Sequence, residues 1–386
     1  MVDVGGYPSG VGLAEEYEAL RRHAQEVATA CARENLADPR GQAARLGEEG
    51  LLGWLAPARH GGLLRDRPYD VTALCVIREA LGTCHPALDT AFVSQALGGV
   101  PLLLAADDDL MRRYLAPAAR GELLGALALT EPGAGSDLAG IETRAVPDGD
   151  GYVLDGEKRF ITNGGVADFY VVCARTDPDG GTRGLTAFVV EAGTPGFEAV
   201  PRPMITPHPT ADLFLQGCRV PRRNVVGAPG DGFKVAMRTL EVLRSSVGAF
   251  ALGLAQRAFD LARERVRERR QFGQPLAEFQ AIRFKLADMA TRLRAARLMV
   301  YSAAAEKDRA AGVRSAAVTA AVSMAKLFAT EAAFAVVNEA VQIFGGESMT
   351  RDHELERLYR EVRPPLIYEG TSEIQRLIIA AALLDG

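Results

Sequence analysis

The spacing of hydrophobic residues changes twice along this 386-residue chain. Near the N-terminus apolar residues recur at three- and four-residue steps, which places them on one face of a helix. This stripe comprises Leu13, Tyr17, Leu20, Ala24, Val27 and Cys31. Further apolar helices are predicted around residues 70–83 and 88–106. We therefore predict an α-helical domain over residues 1–123.

The middle of the chain has the pattern of a β domain, which we place at residues 124–231. Turn clusters at residues 147–151 and 177–181 separate short runs rich in β-branched and aromatic residues, as in β-hairpins. The runs are GYVLDG, DFYVVCART, LTAFVVEA and LFLQGCRVP. Asp148 and Asp150 lack the further ligands of a calcium loop, so a hairpin turn is favoured there.

The last third returns to a helical period. Segments 232–268, 278–310 and 314–343 each far exceed the mean helix length of about 11–12 residues. Long helices with short connections pack as antiparallel bundles, so residues 232–386 are predicted to form a C-terminal helical bundle. There is no alternation of strands and helices of the Rossmann type. The predicted class is mainly α with a central β domain.

Composition narrows the possible partners. The net charge of −5 gives no support for binding nucleic acid or an anionic membrane. Five scattered cysteines without a C-x-x-C pair indicate neither a disulfide framework nor a zinc site, and no metal is expected. The N-terminal MVDVGGYPSG lacks the features of a signal peptide, and we find no apolar run of membrane-spanning length. We expect a cytoplasmic protein.

Five short stretches could carry chemistry. In LALTEPGAGSD (127–137) glycines follow a β run, which would let a ligand approach the backbone, although a surface turn has a similar composition. In KRFITNGG (158–165) Phe160 and Thr162 share one face of a strand and suit a flat ring, or a half-buried strand. RRQFGQPLAEFQ (269–280) could bind a phosphate through arginine or be a solvated loop. QIFGG (342–346) could be a helix C-cap.

The fifth stretch is LIYEGTSEIQ (366–375). Glu369 stands in an apolar approach to a helix, shortly after Pro364 and Pro365. Ser372 and Gln375 have the spacing of a capping box, which predicts that they cap this helix together. A surface glutamate is the simplest interpretation of Glu369 taken alone.

Together and in this order, the five stretches resemble the signatures of the acyl-CoA dehydrogenase flavoprotein family. The resemblance covers residues 12–384. It implies an N-terminal helical domain, a middle β-barrel or sandwich domain and a C-terminal four-helix bundle. It also implies a bound FAD, a homotetramer built as a dimer of dimers, and an electron-transfer flavoprotein as electron acceptor.

The resemblance also implies roles for individual residues. The flavin would be lined by Leu127, Leu129, Thr130, Gly135 and Ser136, with Phe160 and Thr162 on its other side. Contacts to FAD, partly from a neighbouring subunit, are implied for Arg269, Phe272, Gln280, Gln342, Gly345, Gly346, Thr371 and Glu373. The acyl thioester would contact Ser136, Glu241, Arg244, Leu240, Leu243, Tyr368 and Gly370.

Glu369 matches the catalytic base of the family. Some members carry this base at the position of Leu243, and a leucine cannot take a proton. The implied reaction is α,β-dehydrogenation of an acyl-CoA to a trans-2-enoyl-CoA. Glu369 would remove the α-proton and the flavin would accept the β-hydride.

Alternatives remain open at this point. The acyl group could be carried by an acyl-carrier protein in a biosynthetic pathway, since both carriers share the pantetheine arm. An oxidase or monooxygenase on the same fold is a second alternative, and a catalytically idle homologue is a third. Segments 57–62 and 205–219 depart from the pattern of many relatives. The acyl chain length and the direction of the pathway are therefore not specified by the sequence.

Overall fold

A computed structural model describes residues 12–384, and the N-terminal MVDVGGYPSG stretch lies outside the described residues. The chain forms two compact units, each made of segments distant in sequence. Unit 1 comprises Met1–Ala32, Val71–Asp89 and Arg244–Gly386, and unit 2 comprises Arg33–Asp70 and Thr90–Leu243. The boundary between the units thus falls inside the long helix that starts at Gly232.

Most of the chain outside its middle third is helical. The helices in chain order are α1 (Glu15–Arg33), α2 (Pro39–Glu48), α3 (Val71–Cys84), α4 (Pro86–Ala105), α5 (Asp108–Leu110), α6 (Ala116–Ala119), α7 (Gly232–Glu268), α8 (Gln280–Arg309), α9 (Ala316–Phe344), α10 (Glu354–Glu361) and α11 (Ser372–Leu384). The predicted long helices are therefore present with bounds within a few residues of those expected. The short α2 and α10 were not predicted, since neither is long enough to show a clear period.

Unit 1 is a helical assembly in which α3 and α7 approach very closely. A Cβ placed on Gly82 would lie 2.7 Å from the Phe250 carbonyl oxygen, and one on Gly253 would lie 2.4 Å from the Glu79 carbonyl oxygen. Only residues without a side chain allow this distance between helix backbones. The carboxylate of Asp308 in α8 accepts hydrogen bonds from the Val71 and Thr72 N–H groups at 2.7 and 2.9 Å, which caps the start of α3.

The centre of unit 2 is one large sheet. Its strands are β1 (Gly125–Ala128), β2 (Arg144–Asp148), β3 (Gly151–Thr162), β4 (Phe169–Arg175), β5 (Leu185–Glu191), β6 (Phe197–Pro201), β7 (Thr210–Pro221) and β8 (Val225–Val226). They follow the order β6-β7-β3-β2-β4-β5-β8, and β1 pairs with β4 in parallel. The turn at 147–151 joins β2 to β3, and that at 177–181 lies between antiparallel β4 and β5, so both predicted hairpins are confirmed.

The sheet forms the core of unit 2 on both of its faces. Residues Phe169–Ala174 of β4 are all buried, as expected for a strand covered on two sides. Tyr152 meets Phe188 edge to face with ring centroids 5.0 Å apart on one side, and Tyr114 packs against Phe169 on the other. Helical N- and C-terminal regions with a central sheet region confirm the predicted fold class.

Two sequence-based interpretations need correction. Pro86–Ala105 and Ala316–Met349 are long and apolar enough to cross a membrane by length and composition, so apolar runs of that length do exist. Their apolar windows are 72% and 61% buried within the protein, as in ordinary core helices. The loop in RRQFGQP is also more ordered than a simple connection, because Arg270–Gln271 (β9) pairs with Gln274–Pro275 (β10) as a hairpin.

Candidate functional site

The first predicted stretch begins at the end of β1 in unit 2. Leu129 is 8% exposed and belongs to an apolar cluster with Ala134, Ile141, Cys173, Leu185 and Ala236. Leu240 of α7 and Leu127 pack against the same cluster. The apolar cluster therefore fixes the position at which the glycine-rich loop starts.

Backbone contacts join the loop to the end of β3. The Arg159 N–H donates to the Thr130 carbonyl oxygen at 2.8 Å. The fully buried Lys158 ammonium donates to the Leu129 carbonyl oxygen at 3.1 Å and to the Glu131 carboxylate at 2.7 Å. The fold thus brings together two of the five stretches, LALTEPGAGSD and KRFITNGG. Lys158 and Glu131 support the site, and nothing in the sequence singled them out for this.

The surface formed by these two stretches is open and carries uncommitted hydroxyl groups. A Cβ added to Gly133 or Gly135 would meet no atom within 4 Å. Within residues 12–384 the side-chain hydroxyls of Thr130, Ser136 and Thr162 have no protein hydrogen-bond partner. Leu129, free hydroxyls and unobstructed loop backbone suit a flat heteroaromatic ligand such as a flavin.

Phe160 adopts an unusual conformation at this surface. Its φ of +57° lies in the left-handed region, at an irregularity of the β3–β7 pairing between Lys158 and Ile161. The buried carboxylate of Asp212 accepts the Phe160 N–H at 3.3 Å, and the Arg202 guanidinium carbon lies 5.5 Å from the centre of the ring. Arg202 also pairs with Asp212. These two residues hold the half-exposed ring in place, and sequence reasoning missed both.

The predicted base lies in unit 1, in the loop before α11. Glu369 has φ +53° and Gly370 has φ +91°. The Glu369 Oε2 atom is buried and has no hydrogen-bond partner among the described residues. Burial raises the pKa of Glu369, while the positive charges of Arg78, Lys326 and Arg244 act in the opposite direction. An unpartnered carboxylate oxygen with a raised pKa is suited to taking up a proton.

The loop that carries Glu369 is held at both ends. The Tyr368 N–H donates to the Pro364 carbonyl oxygen at 3.0 Å. At the other end Thr371 caps α11, since its hydroxyl accepts the Ile374 N–H at 3.3 Å. The predicted capping box of Ser372 and Gln375 is therefore wrong. Gln375 instead donates to the Gly370 carbonyl oxygen at 2.9 Å, because α11 starts at Ser372, one residue earlier than the capping pattern assumes.

A buried ion pair next to the base was not foreseen. Arg78 of α3 donates to both carboxylate oxygens of Asp89 at 2.9 Å and to the Ser246 hydroxyl at 3.0 Å. Burial acts to lower the pKa of Arg78, but the paired Asp89 more than offsets this and the net shift is upward. Burial also raises the pKa of Tyr368. A lone arginine in an apolar helix was the available sequence signal.

The residues predicted to contact the thioester fall in both units. Arg244 in unit 1 is 6% exposed and donates to the Ser323 hydroxyl at 3.2 Å. In unit 2 Glu241 is partly buried, whereas Leu243 has no exposed surface. Leu243 therefore acts as a core residue in this structure, and Arg244 lies with Glu369 in unit 1.

Most residues predicted to reach FAD from elsewhere in the chain are exposed on unit 1. Phe272 is 92% exposed, because it occupies the β9–β10 turn with φ +51° beside Gly273. Arg269, Gln280, Gln342, Gly345, Gly346 and Glu373 are exposed as well. Arg265 of α7 pairs with Glu347 at 2.5 Å and lies over the Phe344 ring. This contact brings the start of RRQFGQPLAEFQ near the QIFGG stretch.

Comparison with known proteins identifies the family of this chain. Residues 14–122, 126–218 and 230–384 match the N-terminal, middle and C-terminal domains of acyl-CoA dehydrogenase. An acyl-CoA dehydrogenase of Bacillus subtilis is 41% identical over 89% of both chains. A 3-(aryl)acrylate reductase of Clostridium sporogenes is 40% identical over 96% of this chain and 99% of its own.

Solved structures of known proteins share the fold of this chain over nearly its whole length. Butyryl-CoA dehydrogenase from Megasphaera elsdenii has a TM-score of 0.88 at 34% identity, covering 96% of this chain and 99% of its own. An electron transferring flavoprotein structure of Acidaminococcus fermentans has a TM-score of 0.89 at 36% identity, covering 97% and 100%. The FAD complex of PigA has a TM-score of 0.88 at 28% identity, covering 97% and 99%.

The chain belongs to the acyl-CoA dehydrogenase family. It is a flavoprotein oxidoreductase that acts on the CH–CH bond of an acyl thioester.

Proposed function

We propose that this protein is an FAD-dependent dehydrogenase that introduces an α,β double bond into an acyl-CoA, with Glu369 as the base. The buried, unpartnered Oε2 atom of Glu369 is the observation that carries this proposal. A carboxylate whose pKa is raised by burial is matched to a weakly acidic C–H group beside a thioester.

The residues of unit 2 fit a flavin ring. Thr130, Ser136 and Thr162 offer hydroxyl groups, Leu127, Leu129 and Phe160 offer apolar contact, and Gly135 leaves the backbone open. FAD bound there would supply the acceptor for the β-hydride. Arg269, Phe272, Gln280, Gln342, Gly345, Gly346, Thr371 and Glu373 are proposed to hold the rest of FAD, in part in a neighbouring subunit.

The chain's own residues prepare the thioester for proton loss. Glu369 takes the α-proton onto Oε2, and its backbone N–H donates to the thioester oxygen as negative charge develops there. Ser136, Glu241 and Arg244 are proposed to hold the pantetheine arm, and Leu240, Leu243, Tyr368 and Gly370 to surround the acyl group. Burial keeps the pKa of Glu369 raised, which suits its carboxylate to taking up this proton.

We also propose a homotetramer, an electron-transfer flavoprotein as electron acceptor and a cytoplasmic location. Exposed apolar side chains on unit 1 support self-association: Phe272, Phe284, Met349 and Leu377 are 60–92% exposed. All five cysteines are free, which suits a reducing compartment. The domain bounds 1–123, 124–231 and 232–386 remain our proposal for the evolutionary domains.

The decisive experiment is anaerobic bleaching of the bound flavin by a panel of acyl-CoAs and acyl-carrier-protein thioesters. We expect at least one acyl-CoA to reduce the flavin. Reduction by carrier-protein thioesters alone would favour the biosynthetic alternative, and no reduction by any thioester would refute dehydrogenation.

The variant Glu369→Gln tests whether Glu369 is the base. This variant keeps the size of the side chain, so it should retain FAD and bind acyl-CoA. Loss of a general base slows proton transfer by about 10²–10⁴-fold, so bleaching should fall by that factor. Bleaching at the wild-type rate would place the base elsewhere.

A further inference from the structure

We propose that Lys326 is a positioning residue for the base. Its ammonium group, together with Gln375, fixes the Gly370 carbonyl and so the conformation of Glu369, and its charge favours the carboxylate form of that side chain. The inference rests on the proposed function, because it takes Glu369 as the base.

The geometry around Gly370 is a two-sided clamp. Lys326 Nζ donates to the Gly370 carbonyl oxygen at 2.8 Å from α9, and Gln375 Nε2 donates to the same oxygen at 2.9 Å from α11. Both donor side chains have no exposed surface. A carbonyl oxygen has two lone pairs, and here each is satisfied by a buried donor from a different helix.

The clamp holds a backbone conformation that a glutamate does not choose by itself. Glu369 has φ +53°, and the left-handed region costs a non-glycine residue about 1–2 kcal/mol. A Cβ on Gly370 would lie 2.6 Å from Gln375 Nε2, so the clamp also requires glycine there. Fixing the peptide after Glu369 fixes the direction in which its side chain leaves the loop.

Lys326 is also one of several charged groups that face Glu369. Arg78 and Asp89 come from the α3–α4 region, Arg244 from α7 and Lys326 from α9. Tyr368 precedes the base, and Glu361 of α10 acts on Tyr368. Glu373 of α11 and Glu331 of α9 act on Lys326. The charge of Arg78 is opposed by its partner Asp89, whereas the Lys326 ammonium contacts a neutral carbonyl and leaves its charge to act on Glu369.

The same burial that places Lys326 beside Gly370 makes its ammonium group easier to deprotonate. Burial lowers its pKa to about 8, with Glu369 acting to raise it. Below about pH 8 the ammonium form predominates, and its charge stabilises ionised Glu369. Removing that charge must raise the pKa of the base, so the acid side of the pH–rate profile must move to higher pH.

The test compares Lys326→Met with Gln375→Met in the FAD-loaded protein. Both variants remove one hydrogen bond to Gly370, but only Lys326→Met removes a charge. The readout is the rate of anaerobic flavin bleaching by acyl-CoA as a function of pH. We expect Lys326→Met to shift the acid limb to higher pH, because this variant lacks the positive charge that favours ionised Glu369. Gln375→Met should slow bleaching without shifting the limb.

Lys326→Arg and Lys326→Gln complete the series. Arginine keeps the positive charge, so Lys326→Arg should have the wild-type acid limb. Glutamine removes the charge, so Lys326→Gln should shift the limb in the same direction as Lys326→Met. The glutamine variant keeps the proposal testable if Lys326→Met fails to fold. An unchanged limb in Lys326→Gln, or equal shifts in Lys326→Met and Gln375→Met, would overturn the proposal. Failure of the wild-type protein to bleach at all would instead refute the proposed function.

Discussion

The carboxyl group of Glu369 is held in surroundings that disfavour its charged form. One oxygen is buried without a partner among the described residues, and the backbone lies in the left-handed region. Structural strain and an unsatisfied polar atom at one residue are typical of functional sites. The protein therefore gives up stability at the residue that is proposed to react.

This trade-off predicts that Glu369→Gln is more stable than the wild-type protein at about pH 8. Burial raises the pKa of Glu369, so the folded state holds the proton more tightly than the unfolded chain. Stability from this group is present at low pH and lost as pH rises through the folded pKa. Urea unfolding of the flavin-free proteins at about pH 8 and pH 4 measures this, and the difference should vanish at the lower pH. If the variant and the wild-type protein are equally stable at about pH 8 as well as at pH 4, the prediction is wrong.

Arg78 and Asp89, unlike Glu369, form a buried ion pair in which each charge has a partner. Arg78→Met leaves the Asp89 carboxylate uncompensated, and breaking a buried pair in this way costs about 3–5 kcal/mol of unfolding free energy. Denaturant unfolding is the measurement. Arg112→Met is the matched control, because the Arg112–Asp108 pair is exposed and should matter by less than about 1 kcal/mol. Restoration of stability in Arg78→Met with Asp89→Asn would confirm that the leftover charge is the cause.

At the scale of the structural elements, the glycines of the loop after β1 leave its backbone open to a ligand. Gly135 has open space where a Cβ would stand, although the cluster around Leu129 holds the loop firmly. A side chain there would therefore block a ligand and leave the fold intact.

Gly135→Val is accordingly expected to lower flavin affinity by at least about tenfold, or about 1.4 kcal/mol, without changing the unfolding midpoint of the flavin-free protein. Titration of the flavin-free protein with FAD, followed by fluorescence, measures this. Gly193→Val is the control, since Gly193 is also exposed with open space around it. Equal affinities for both variants would remove the loop from the flavin site.

At the scale of the whole molecule, the exposed apolar side chains of unit 1 support the proposed self-association. The β9–β10 turn holds Phe272 almost fully in solvent, with its ring edge against Phe279. Contiguous exposed apolar surface marks interaction sites, and Phe272 would contribute to such a surface in the proposed oligomer.

Phe272→Asp should therefore weaken both the oligomer and FAD retention. Light scattering after size-exclusion chromatography measures the first, and the ratio of flavin to protein absorbance measures the second. Val146→Asp is the control, because Val146 is a 57% exposed apolar residue of unit 2. An intact tetramer in Phe272→Asp, or equal loss in both variants, would count against the proposed interface.

The sequence by itself determined the long helices, the longer strands and their order. Long apolar stripes predicted α7, α8 and α9, and alternating runs between turn clusters predicted β3, β4, β5 and β7. Local patterns suffice here because helix and strand periods are properties of neighbouring residues. The family signatures likewise identified Glu369 and Thr130 as candidates, since each lies inside a contiguous motif.

Only the tertiary structure decided what surrounds those candidates. Lys326 is 43 positions before Glu369 and Arg78 lies on another helix, yet both act on its charge. Arg202, which follows β6, and Asp212 of β7 support Phe160, although no local sequence signal marked either residue. Such contacts depend on packing between distant segments, and no period or spacing along the chain records them. The sequence thus supplied the reactive carboxylate, while the fold supplied the buried charges and the clamp that hold it ready.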